Sequence, residues 1–283
     1  MRHRKNNFFH TIIVIVCFLV SILLNESTFA INPSRHYLAK PDAIGIKFQT
    51  YKIKVSDSIS LNSWACLQKD TKRPFIIISN SDAGNMSNSL GQAQALYNEG
   101  YNIILYDYRG FGESSDFTIN PGMMYYNEFA EDLSKTIKFV NTKFKPTSII
   151  LYGLSMGTIV SRMNIDDSKV LKGLILDSFV IDPRLVVDRI HILKKKDVLL
   201  PTNASQYAES NQVILKKPVL IFSGLQDKVT RTSDYKEFLS KNPGSKMVTS
   251  DCNHLECFTS MGTEPNRYVE EVNTFINKLI KSK

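Results

Sequence analysis

In the stretch LYGLSMGTIV, Leu151 to Val160, Ser155 stands between Gly153 and Gly157 where an apolar run gives way to a segment with helical spacing. A serine hydroxyl is a poor nucleophile until a base takes its proton. A sharp strand-to-helix turn flanked by glycines exposes such a hydroxyl, strains its backbone and aims the free N–H groups of the following helix at the reacting centre. The plain alternative is a turn serine, and the strand-before, helix-after context favours the nucleophile.

A base must then be found among five histidines. His3 and His10 fall in the first thirty residues, His36 in a polar lead, and His191 in a long segment between two strands. His254 follows the last apolar strand and precedes the last helix, which makes it the candidate base. The orienting acid is expected between serine and histidine in chain order. SGLQDKVT puts Asp227 just beyond the strand Pro218 to Ser223, where active-site residues gather in open α/β sheets. Asp177, at the end of the preceding strand, is the competing acid.

The elements that must position these residues are legible as runs. Ile46 to Val55 and Ile59 to Leu67 alternate as an antiparallel hairpin. Pro74 to Ser79, Asn102 to Asp107, Ser148 to Tyr152, Leu171 to Asp177 and Pro218 to Ser223 are continuous apolar runs, as in strands of a parallel sheet buried on both faces. Helical spacing occupies Leu90 to Glu99, Met124 to Phe144, Gly157 to Asn164, Tyr235 to Lys241 and Asn266 to Ile280. The alternation predicts a doubly wound α/β sheet entered by a hairpin. Residues 179–210 separate two strands by more than one crossover needs and are expected to form a short cap. Val186, Val187, Ile190, Ile192 and Leu193 in it could line an acyl pocket or pack the cap onto the sheet.

With 43% hydrophobic and 22% charged residues in 283, the chain can bury a full core and is not a disordered tail. Its formal charge of +8 is scattered apart from Lys194 to Lys196, and no nucleic-acid motif accompanies it. Weak attraction to anionic membrane surfaces stays open. Arg2, Arg4 and Lys5 precede the apolar run Thr11 to Leu24, and Thr28-Phe29-Ala30 follows with small residues at signal-peptidase spacing. Residues 1–30 thus read as a signal peptide, or as an uncleaved N-terminal anchor, and residues 31–283 as the exported domain, periplasmic or secreted. After cleavage Cys66, Cys252 and Cys257 remain, so at most one internal disulfide forms. Cys252 and Cys257 are near enough in sequence to pair, and separate buried thiols are the alternative. No cysteine and histidine spacing resembles a metal site.

GLSMG, YDYRGFGESS (Tyr106 to Ser115), SNSDAGNMSN (Ser79 to Asn88), GLQDKVT and CNHLECF together resemble the α/β-hydrolase superfamily, specifically its bem46-like serine hydrolases. The resemblance runs from about Phe75 to the C-terminus. It implies an α/β-hydrolase fold of about eight strands, a Ser155, Asp227 and His254 triad, and hydrolysis of acyl esters or thioesters without a cofactor. Lipid or acylated-protein substrates are implied as well, since some relatives remove fatty acyl groups from proteins. One departure stands out: Asn80 and Ser81 replace the His-Gly pair usual before this loop, and Asp82 follows. The oxyanion hole would join the N–H of Met156 to a loop N–H, best matched by Asp82. A carboxylate pointing inward there would oppose the developing charge, so it is expected to bond within its own loop or to alter the hole. Asp107, Arg109, Gly110 and Gly112 match the family as well; Arg109 would stand near substrate or, on the favoured reading, in an Asp-Arg turn that supports the neighbouring loop, and Asp132 and Trp64 read as structural. The competing functions are a serine peptidase or amidase on the same fold, and a hydrolase-fold binding protein that has lost activity.

Overall fold

The computed structural model describes residues 30–70, 72–166, 168–262 and 266–281. The expected signal segment therefore lies outside the described residues, except for Ala30. After a short lead strand β1 (Asn32–Pro33), the predicted hairpin forms as β2 (Gln49–Lys54) and β3 (Ser60–Cys66). The apolar runs become β4 (Phe75–Ser79), β6 (Asn102–Tyr106), β7 (Ile149–Leu154), β8 (Leu171–Asp177) and β9 (Val219–Gly224), joined by a two-residue β5 (Ala83–Gly84) and by β10 (Lys246–Ser250). Eight strands make one sheet in the order β10-β9-β8-β7-β4-β6-β3-β2. All neighbours from β10 to β6 are parallel, and the β6, β3 and β2 pairings are antiparallel.

Two-residue pleating explains why the runs are apolar throughout. Ile77, Ile104, Leu151 and Ile221 face one layer, packed under α2 (Tyr126–Phe144) and α3 (Met156–Met163). Ile76, Ile103, Ile150 and Leu220 face the other, packed under α1 (Leu90–Asn98) and α8 (Arg267–Lys281). Each such side chain fully removed from water contributes about 1.5–3 kcal/mol, against about 0–1 kcal/mol for an exposed ion pair. The two layers, not the surface charges, hold the sheet. Among the described residues every strand and both layers lie after Ala30, so a chain beginning at Ile31 contains the whole described sheet and core.

Between β8 and β9 the expected cap region folds as α4 (Pro183–Lys194) and α5 (Ala204–Ser210). Asp182 caps α4 by accepting the Arg184 N–H at 2.9 Å, with Pro183 at the first turn. The cap also shortens a predicted helix. α2 begins at Tyr126 instead of Met124 because Met124 donates its N–H to Leu199 at 3.0 Å and Leu199 donates to Gly122 at 2.7 Å. Among the described residues no helix is long and apolar enough to cross a membrane.

The DYRG stretch is structural, as expected. Buried Asp107 accepts the Met86 N–H at 2.8 Å and the Tyr37 hydroxyl at 2.5 Å, tying the loop after β4 to the lead. Arg109 donates to Asp132 through Nε at 2.9 Å and Nη2 at 2.6 Å, and through its backbone N–H at 2.9 Å. Trp64 is buried beside Tyr37 and Phe48.

Burial pushes Asp132 up to about 6 although Arg109 holds it down, so removing the guanidinium strands a buried carboxylate. Arg109→Met is expected to lower Tm by roughly 10 °C at pH 7.5, the scale of about 3 kcal/mol in a domain of this size. The loss should shrink at pH 5, where Asp132 takes a proton. An equal loss at both values in thermal melts would assign the effect to packing alone.

Candidate active site

The C-terminal ends of β4, β7, β8 and β9 and the loop after β10 converge on one edge of the sheet. The chain leaves β4 toward β6 and returns to β4's other side as β7, and this reversal is where open α/β sheets form a crevice. Ser155 sits at the turn from β7 to α3 with φ 49° and ψ −114°. Few non-glycine residues hold such a backbone, which costs on the order of 1–3 kcal/mol. A side chain on Gly157 would meet the carbonyl oxygens of Ser79 and Asn80, and one on Gly153 would meet the Gly157 backbone. The two glycines therefore let the turn close against β4. The Ser155 N–H donates to Asp177 O at 3.0 Å, while Ser155 O accepts from the Thr158 N–H at 2.8 Å and its hydroxyl at 2.6 Å.

The structure brings the three sequence-selected residues together. Ser155 Oγ lies 2.9 Å from His254 Nε2, and His254 Nδ1 lies 2.8 Å from Asp227 Oδ2. Asp227 Oδ1 also accepts the N–H groups of Val229 at 2.7 Å and Thr230 at 2.9 Å, and Oδ2 accepts the Thr230 hydroxyl at 2.6 Å. Burial works against ionising Asp227, but the His254 hydrogen bond and charge, together with the Thr230 donors, outweigh it and hold the carboxyl below its ordinary value. Thr230 was not singled out from sequence, although a threonine three residues after an aspartate is a common turn pattern.

Asp177 is not the acid that meets His254 Nδ1. It is fully buried, accepting the Tyr268 hydroxyl at 2.9 Å, and that hydroxyl is 2.6 Å from Tyr152's. Burial, only partly offset by Tyr268 and by the charge of His254, pushes Asp177 up to about 6. Ser178 next to it has φ 56° and accepts the Leu255 N–H at 2.9 Å, clamping the histidine loop to the end of β8.

A cleft of about 300 Å³ opens over Ser155, within the range of small-ligand sites. Ser81, Asp82 and Met156 line it beside Ser155 and His254. The Asp82 carboxylate accepts the Ser81 hydroxyl at 2.6 Å within its own loop, and Asp82 O accepts the Asn32 N–H at 2.9 Å. Asn80, where the resembling family carries histidine, is buried, with its side chain accepting from Ser89 and its backbone oxygen from Tyr108 at 2.9 Å. From the cap, Val186, Val187 and Ile190 line the cleft. Ile192 and Leu193 do not: they are 65% and 48% exposed, which corrects the expectation for these two. Helical phase is the reason for Ile192, which falls on the side of α4 away from Val187 and Ile190, whereas Leu193 shares the phase of Val186 and Ile190 and stands in the exposed last turn. Cys252 and Cys257, flanking His254, are free buried thiols with Sγ atoms 3.1 Å apart, and Cys66 is a third.

The family model for serine aminopeptidase, S33, matches residues 81–201. YfhR of Salmonella typhimurium (strain LT2) is 24% identical over 303 residues, covering 100% of this chain and 98% of that protein. A Saccharomyces cerevisiae protein named as the uncharacterized membrane protein YNL320W is 22% identical over 219 residues, 75% of this chain and 74% of its own. Among solved structures, the Pyrococcus furiosus esterase Pf2001 superposes with a TM-score of 0.70 at 19% identity, covering 88% of this chain and 98% of its own. Mouse alpha/beta hydrolase domain-containing protein 10 gives 0.62 at 16% identity, with 82% and 99% covered. The fold is the α/β-hydrolase fold.

Asp177→Asn tests the reading of that buried carboxyl. Its folded value of about 6 lies above the ordinary 3.8, so its stability contribution is present below the ordinary value and lost as pH rises through 6. Asparagine keeps an acceptor for Tyr268 without the charge. The variant should melt no lower than the parent at pH 7.5, with a gain of up to roughly 3 kcal/mol that vanishes near pH 4. A lower Tm at pH 7.5 would show that the ionised form is needed.

Proposed function

We propose that this chain is a serine hydrolase that cleaves acyl esters or thioesters through an acyl-enzyme intermediate. The observation that carries the proposal is the chain of contacts from Ser155 Oγ through His254 to Asp227, opening into an apolar cleft. Ser155 Oγ attacks the acyl carbonyl as His254 Nε2 takes its proton. Asp227, held ionised by its donors, keeps the proton on Nδ1 and offsets the imidazolium charge. The oxyanion is received by the N–H groups of Met156 and of Asp82, the latter available because a side-chain change leaves the backbone donor in place. His254 then protonates the leaving alcohol or thiol. A water deprotonated by the same imidazole releases the acid. The esterase activity of the Pyrococcus furiosus neighbour supports this reaction class.

The serine aminopeptidase model supports a second reading, cleavage of a peptide or amide. An aminopeptidase must hold a substrate ammonium. Asp82 is the one carboxylate lining the cleft among the described residues, and Lys194 and Lys196 line it too, so the cleft's charge favours the ester reading. The proposal also places the enzyme outside the cytoplasm, exported or held to a membrane by residues 1–30. The arginine, lysine and apolar order of that segment supports this, and the naming of the yeast relative as a membrane protein is in keeping with it.

A fluorophosphonate needs an activated serine and little substrate recognition. The chain from Ile31 is expected to gain one adduct by intact mass, on Ser155, and Ser155→Ala none. A folded protein that stays unlabelled would count against the nucleophile. On acyl esters Asp227→Asn should lose at least about a hundredfold in kcat, with Asp177→Asn within about threefold of the parent. The reverse ranking would exchange the two acids.

A further inference from the structure

The cap presents two cations to the cleft that nothing in the proposed mechanism uses. Lys194 ends α4, and Lys195, with φ 53° and its N–H on His191 O at 2.9 Å, turns the chain so that both Lys194 and Lys196 line the cleft. The other cationic side chains of α4 are committed: Arg184 to Asp182 at 2.8 Å, and Arg189 to Asp234 at 2.5 Å. Lys194 and Lys196 have no ion-pair partner within 4.0 Å among the described residues. The rest of the cap's contribution is apolar, through Val186, Ile190, Val198 and Leu200.

Charges along this rim do not cancel. Burial lowers the affinity of Lys196 for a proton; Asp82 attracts its charge and Lys194 repels it. Asp82 can balance one ammonium, and two are present. An apolar trough with a serine at its base and an uncompensated ammonium at its edge matches an amphiphile with an anionic group. We propose that Lys194 and Lys196 form an anion subsite, selecting acyl esters or thioesters that carry a carboxylate, sulfonate or phosphate beside the scissile bond. This rests on the ester-hydrolase reading and adds the substrate class to it. The anion could belong to a free amphiphile or to a lipid headgroup.

Matched hexanoyl esters of 4-hydroxybenzenesulfonate and of its neutral sulfonamide isolate the charge, and lysophospholipids with glycerol or choline headgroups in mixed micelles do so at a lipid surface. The chain from Ile31 should favour the anionic member by about fivefold in kcat/KM at low salt, the scale of a partly exposed charge pair. The ratio should fall toward one as salt shortens the screening length. Lys194→Gln/Lys196→Gln should bring it to near one at low salt. Preference among the hexanoyl esters alone assigns a free anion; preference among the lysophospholipids assigns a lipid headgroup. A ratio near one in both pairs overturns the subsite, as does a double variant that slows both esters equally and keeps the ratio, which would make Lys196 only a counter-charge for Asp82. Should neither ester turn over, thermal-shift titration with the same two compounds still reads the charge. Stabilisation at lower sulfonate than sulfonamide concentration, lost in the double variant, would keep the subsite while removing the hydrolase reading. Equal titrations would overturn the subsite.

Discussion

The site depends on one close approach, that of the first turn of α3 to the end of β4. Because Gly157 has no side chain, the backbone of this turn lies against the Ser79 and Asn80 carbonyls, and β7 can end abruptly enough to put Ser155 at φ 49°. Strain of this size persists only when the surroundings over-determine it. Here they do: Asp177 O holds the serine N–H, Thr158 holds its carbonyl, and the Thr158 hydroxyl accepts the Val180 N–H at 3.0 Å. Beneath lie Ile77, Leu151 and Ile159, whose burial resists any relaxation of the turn. Three of the five described non-glycine residues with positive φ, Ser155, Ser178 and Leu255, belong to the site, and the other two, Lys145 and Lys195, end helices.

The same edge shows how two aspartates at the ends of adjacent strands take opposite roles. Asp227 receives two backbone N–H groups, a hydroxyl and the imidazole, all of which favour the ionised form. Asp177 receives hydroxyls from Tyr268 and, at 3.4 Å, Ser178, in a place without solvent, so burial governs it. An acid that must stay charged beside an imidazolium needs the first environment. Strand position alone cannot distinguish the two; the donors around each carboxylate do.

That contrast marks what was legible in the sequence. The continuous runs announced the parallel strands because a strand buried on both faces carries apolar side chains on both, with its few buried polar residues (Ser79, Asn102, Asp177, Ser223) at or near the strand ends, and the glycines announced the turn because no side chain fits there. The base followed from the single histidine left beyond the last apolar strand, and the expected serine, acid, histidine order then narrowed the acid to Asp177 or Asp227. What failed depends on how elements meet. Ile192 and Leu193 look like their neighbours in α4, and only the docking of the helix decides which side, and which of its turns, meets the cleft. The pairing of β1 with β5, which fixes Asp82 through Asn32, joins residues too far apart for any local pattern. Thr230 and Ser178 act through hydroxyls that sequence offers in many places.

His254 is held from three sides, which explains how a loop residue can meet a serine placed by the sheet. From β9, Leu225 donates to Ser250 O at 2.9 Å and Gln226 to Cys252 O at 3.0 Å, drawing the loop against Gly224. From β8, the Ser178 hydroxyl takes the Leu255 N–H. From below, Cys252 and Cys257 bury their thiols together in the layer under α8, with Cys257 opening the short helix α7 (Cys257–Met261) that follows the loop. Two of these restraints come from the neighbouring strands and one from the core. The imidazole is thus positioned by the same sheet edge that positions its hydroxyl and carboxylate partners, and a displacement of β8 or β9 would move all three together.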